Sequence, residues 1–126
     1  MTPTARTLDL LRRSGYLAGV VEKWLPKIDR RQDLFGCFDV IGIHPVRREA
    51  LLVQVTTIGN LSSRLAKVKA TAELTPILAS GVKVQVHGWR DGQVKVVEVL
   101  ALDLTPVVMV RPRRKQPSRF RQGELF

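Results

Sequence analysis

The run Leu51-Leu52-Val53-Gln54-Val55-Thr56 decides the fold, because its apolar residues fall on both faces of an extended chain. Side chains alternate along a strand, so a strand that is apolar on both faces is covered on both sides and lies inside a sheet. Outward from it, residues 38–44 and 50–57 are both rich in Val, Ile and Leu, and the short link at 45–49 predicts an antiparallel hairpin. Upstream, Leu8, Leu11, Tyr16, Leu17, Val20, Val21 and Trp24 recur near helical spacing over 7–25, with Thr7 as N-cap, Pro26 as stop and Gly15 as a break between two helices. The polar segment 29–38 reads as a loop. Downstream, Leu61, Leu65, Val68 and Ala72 form the apolar stripe of a helix over 61–72, with Pro76 ending or kinking it and a short helical piece running to Ser80. Gly81 opens a strand over 82–89, Asp91-Gly92 turns it, and a strand over 94–104 returns. This order predicts one α/β domain at 1–110, a central mixed β-sheet flanked by helices. Beyond it, 111–126 loses apolar spacing and reads as a flexible basic C-terminal tail.

The chain has 126 residues, 44% hydrophobic and 25% charged, which is enough apolar material for one core and little for a second. Its 21 Lys and Arg against 11 Asp and Glu give a formal charge of +10. Such an excess attracts phosphate polyanions, so nucleic acid is the expected partner, DNA before RNA. Cys37 is the sole cysteine, which excludes an intramolecular disulfide and a cysteine zinc site. No stretch reaches the roughly 20 apolar residues of a membrane span, so a soluble, cytoplasmic protein with no membrane partner is expected.

The residues able to carry chemistry converge on the predicted hairpin. Asp39 opens its first strand, while Gln54 and Thr56 share one face near the end of its second. Glu22, on the preceding predicted helix, is placed to pack toward the same sheet edge. Magnesium or manganese asks for such hard oxygen donors: one or two carboxylates, an amide or backbone carbonyl, and a substrate phosphate. Asn60, Arg64 and Lys67 line one polar stripe of the helix that follows.

Two runs, Arg31-Gln32-Asp33-Leu34-Phe35-Gly36-Cys37-Phe38-Asp39-Val40-Ile41 and Leu52-Val53-Gln54-Val55-Thr56-Thr57, resemble small phage and bacterial proteins of the PD-(D/E)XK nuclease superfamily. The resemblance spans roughly residues 19–90 and implies a restriction-endonuclease-like core. It implies that Glu22, Asp39 and Gln54 hold the metal. Gln54 stands where a carboxylate is usual, and Thr56 stands where the motif has a lysine. Thr56 carries no charge to stabilise a phosphorane, so Lys67 or Arg64 is the expected substitute cation. The implied function is metal-dependent cleavage of phosphodiester bonds in DNA, with branched or replication-linked DNA among the expected substrates and a homodimer as an expected assembly. The alternative is a catalytically inactive nuclease fold kept as a nucleic-acid-binding or replication-adaptor protein; a phage assembly protein is a further rival.

Other residues carry weaker signals. Asp33 reads as a turn cap. His87 and Trp89 share a strand face that either contacts a base or, more commonly for these residue types, belongs to the core. In the tail, Arg111, Arg113, Arg114 and Lys115 suit nonspecific phosphate contacts. The terminal Gln122-Gly123-Glu124-Leu125-Phe126 resembles the pentapeptide by which bacterial replication and repair proteins bind the sliding clamp, with Gln122, Leu125 and Phe126 as the partner-binding positions.

Overall fold

Helix α1, Pro3–Arg13, begins where Thr2 accepts a hydrogen bond from the Ala5 amide at 3.1 Å and proline occupies the first turn. It stops at Ser14 because Gly15 takes a left-handed φ of +96°. The helix predicted over 7–25 is therefore corrected: Thr2 rather than Thr7 is the cap, and after the break the chain extends. Leu17–Val20 forms β1 and Lys23–Leu25 forms β2. Val20, Val21 and Gly19 disfavour a second helix, and the same apolar spacing serves two short strands equally well. In the computed structural model the described residues are 1–21, 23–25, 27 and 30–101, with 23–25, 30 and 31 defined by backbone alone. Glu22 lies outside them, but strands on either side of it replace the helix expected to carry it.

Arg30–Gln32 (β3) pairs antiparallel with β2, so part of the expected loop is strand. Val40–His44 (β4) and Glu49–Thr57 (β5) form the predicted hairpin, with Ile41 opposite Leu52 and Val40 opposite Val53. A 3₁₀ turn, Ile58–Asn60, leads into α2, Leu61–Lys69, and α3, Leu74–Ala79, follows. Helix α2 ends three residues short of the predicted bound, and Pro76 sits inside the first turn of α3, where its missing N–H costs nothing. Lys83–Arg90 (β6) then lies parallel to β5, and Gln93–Val99 (β7) returns antiparallel through the Asp91-Gly92 turn. Residues 102–104 of the predicted last strand lie outside the described residues. The order β1-β4-β5-β6-β7 makes a five-stranded mixed sheet with β5 at its centre, flanked by helices. The α/β expectation holds. Among the described residues no helix is long and apolar enough to cross a membrane.

Alternation along β5 divides the interior in two. Leu52 faces α2 and α3 together with Phe38, Leu61, Val68, Leu74, Ile77, Val84, Val86 and Val99. Leu51 and Val53 face α1 with Leu11, Tyr16 and Val40. The α1 face also encloses a polar chain. Trp89 Nε1 donates to Thr7 Oγ1 at 2.9 Å, Thr7 Oγ1 lies 3.1 Å from His87 Nδ1, and His87 Nε2 lies 2.9 Å from Gln85 Oε1. Thr7 and His87 are fully buried and Trp89 nearly so. His87 and Trp89 thus share a face, as expected, but it is an interior face, which removes them from base contact. Burial holds the His87 ring down to a pKa of about 4.

Candidate metal and nucleic-acid site

Asp39 is fastened before β4 begins. Its amide donates to Val53 O at 2.9 Å, and its carbonyl accepts the Val21 amide at 2.9 Å, so the residue is gripped from β5 and from the end of β1. One rung further along β5, the Val55 amide donates to the Asp39 side chain at Oδ2, 2.8 Å away. The carboxylate thus continues the ladder that the backbone abandons. Between those rungs Gln54 projects toward the α2 face, and its Nε2 donates to the same Oδ2 at 2.6 Å. The sequence places Asp39 and Gln54 at converging positions, and the fold brings them into direct contact.

The donor set can be tested against a hard divalent cation. Gln54 is 1% exposed, and its Oε1 is a buried acceptor with no hydrogen-bond partner among the described residues. Leaving such an atom unsatisfied costs about 1–3 kcal/mol. The Nε2 end lies against two oxygens, Asp39 Oδ2 and, at 3.4 Å, Val55 O. The two ends of an amide are close in shape. Turning the group over would set Oε1 beside a carboxylate oxygen and a backbone carbonyl, which is a magnesium donor set. With the amide so turned, Gln54 Oε1, Asp39 Oδ2 and the Val55 carbonyl would be the atoms able to face such an ion. Among the described residues no three His, Cys, Asp or Glu side chains cluster in a way that could hold a metal ion. Glu22, the other expected acid, lies outside the described residues.

Thr56 shares the face of Gln54 and is buried at 8% exposure. Cys37, two residues before Asp39, is fully buried and accepts a hydrogen bond from Thr71 Oγ1 at 3.5 Å. Burial raises the Cys37 thiol above its usual range, while Thr71 and the nearby Lys67 ammonium pull it back. Lys67 and Thr71 therefore run alongside the segment that delivers Asp39. On α2, Arg64 lies half-buried between the inward Leu61 and Val68, whereas Lys67 is exposed. Asp33 is half-buried and near enough to Cys37 to act on its thiol. The tail residues Arg111, Arg113, Arg114, Lys115, Gln122, Leu125 and Phe126 lie outside the described residues. Sequence reading missed the Val55 amide as a ligand of Asp39, since backbone donors leave no trace in residue type. It also missed Thr7, whose signal was its position one turn before Leu11 on the buried stripe of α1. In comparisons with known proteins, no family model, no curated protein and no solved structure matches the chain.

Proposed function

We propose that this domain is a metal-dependent nuclease of the PD-(D/E)XK kind, with a restriction-endonuclease-like core, that cleaves phosphodiester bonds in DNA. The observation that carries the reading is the pairing of Asp39 with a buried Gln54 whose Oε1 lacks a partner among the described residues, at the end of the central strand. Asp39, Gln54 and the Val55 carbonyl would hold magnesium or manganese, with Glu22 as the further acid. A bound divalent ion supplies Lewis acidity toward a phosphoryl oxygen and makes an attacking water more acidic. The protein's own groups do the rest. Asp39 Oδ2 accepts from the Gln54 amide and the Val55 backbone N–H, which sets the orientation of the carboxylate. The buried Thr56 and the half-buried Arg64 border the same face. Lys67, which runs beside the segment that delivers Asp39, or the half-buried Arg64 supplies the positive charge toward the reacting phosphate that the motif lysine would give.

The test is cleavage of labelled single-stranded, duplex and four-way-junction DNA with magnesium or manganese. Wild type is compared with Asp39→Asn, which keeps an oxygen for the Val55 amide, and both are checked for fold by circular dichroism. Metal-dependent cutting that Asp39→Asn loses supports the nuclease. Equal DNA binding without cutting in both proteins overturns it in favour of a nuclease fold kept as a binding scaffold.

A further inference from the structure

The cations of the two faces of the sheet are used differently. On the side of α1 most are engaged within the fold, Arg6 excepted: Arg13 pairs with Asp9 at 3.1 Å and Arg12 donates to the Ala18 carbonyl at 2.9 Å. Arg47 and Lys83 both meet Glu49, at 3.3 and 3.4 Å. On the side of α2 they are not. Arg64, Lys67 and Lys69 of α2, and Arg90 and Lys95 of the β6–β7 hairpin, make no ion pair among the described residues.

Register places Arg90 and Lys95 on that face. Val84 and Val86 point toward α2 and α3, so Arg90 follows by alternation, and Lys95 is the cross-strand partner of Gly88 on the same side. Glu98 pairs with Gln85 and so faces the α1 side. Residues 50–72, which include all of α2, contain no acid. The outward positions of α2 are small: Ser62, Ser63 and Ala66 are exposed between the cations, which lets a phosphate ridge come close. Gly88 is roofed by Ile58 and Leu61, so α2 begins directly over β6, between the hairpin cations and the Asp39–Gln54 contact. Strands lie about 4.8 Å apart. Arg90 lies two strand spacings across from Asp39 and about four residues further along the sheet, at about 3.3 Å each, so the two are about 16 Å apart, or about five nucleotide steps at 3.4 Å each.

We propose that DNA docks its phosphate backbone on the α2 face, meeting Lys67 on the flank of α2 toward the Cys37–Asp39 segment, Lys69 on the other flank of the helix, and Arg90 and Lys95 on the β6–β7 hairpin. The inference rests on the reading of the domain as one that handles DNA, and it assigns that task to the folded face as well as to the basic tail. Unpaired cations whose countercharge is missing from the fold are the groups that a polyanion neutralises at least cost, because no internal ion pair has to break.

The experiment measures binding of the full-length chain to a labelled DNA duplex in EDTA, across a salt series, so that cleavage plays no part. Each phosphate neutralised adds about 0.9 to the slope of log affinity against log salt, so Lys67→Gln/Lys69→Gln should lower the slope by about 2. Arg90→Gln/Lys95→Gln should lower it similarly. The control, Arg12→Gln/Arg13→Gln, removes two cations that are engaged within the fold on the α1 side and should change the slope by well under one phosphate's share. All five residues of the α2 face except Arg64 are exposed, so these variants fold, and circular dichroism checks it. Equal slopes in all four proteins, or a larger loss in the control, overturn the docking face. Slopes that fall as expected while the wild type cuts no DNA with magnesium or manganese would instead sink the nuclease reading alone.

Discussion

Acidification should unfold this protein through His87, and the size of the effect follows from its surroundings. The Trp89 indole N–H occupies one lone pair of Thr7 Oγ1, which leaves the threonine hydrogen to donate to His87 Nδ1. That fixes the neutral ring with its proton on Nε2, facing Gln85 Oε1. A second proton at Nδ1 would meet a donor rather than an acceptor, in a fully buried place. The folded pKa is accordingly about 4, against 6.5 for a free ring. The unfolded chain binds the proton first, so stability rises with pH across this interval, is complete above 6.5 and is lost as pH falls toward 4. At about 1.4 kcal/mol per pH unit, the loss is about 2 kcal/mol by pH 5 and about 3 kcal/mol by pH 4. Glu49 is held below its usual range, first by the hydrogen bond from the Tyr16 hydroxyl, so its share of stability is present above 4.5 and disappears below that. A window from pH 7.5 to 5 therefore isolates the histidine. Urea unfolding across that window should show midpoints falling with pH in the wild type, and a flatter profile in His87→Gln. A wild-type profile that stays level, or an equal fall in the variant, refutes the reasoning.

Three further outcomes follow from the same packing. Thr7→Val strands Trp89 Nε1 and His87 Nδ1 in the interior, and urea unfolding at pH 7.5 should record a loss of about 2 kcal/mol. Gln54→Glu sets a second carboxylate against Asp39; without metal the melting temperature should fall, and millimolar magnesium should raise it more than in wild type, whereas equal magnesium shifts in both would count against the cation site. Gly42→Ala brings a Cβ to 3.1 Å from the Tyr16 ring and 3.4 Å from Leu11, so the α1 face must give way, with a loss of about 1–3 kcal/mol by the same assay.

The hairpin and its neighbours were legible because two apolar runs joined by a short link have few other solutions. The doubly apolar run became the central strand for the same reason: a strand that carries Leu51 and Val53 on one face and Leu52 on the other has to be covered twice. The start of the chain misled because Tyr16, Leu17, Val20 and Val21 satisfy helical and strand spacing alike. The choice fell to Gly15, whose left-handed turn ends α1, and to β4, which offered β1 a partner. Asp39 and Gln54 could be paired from residue type and register alone. Sequence could not reveal that the Val55 amide completes the Asp39 cradle, that Gln54 Oε1 is left without a partner among the described residues, or that Trp89 and His87 turn inward onto Thr7 eighty residues away. Patterns of residue type report which face a side chain takes on its own element. Only the docking of α1 and α2 onto the sheet determines what that face meets, which donors remain unused, and which cations are left without an internal partner.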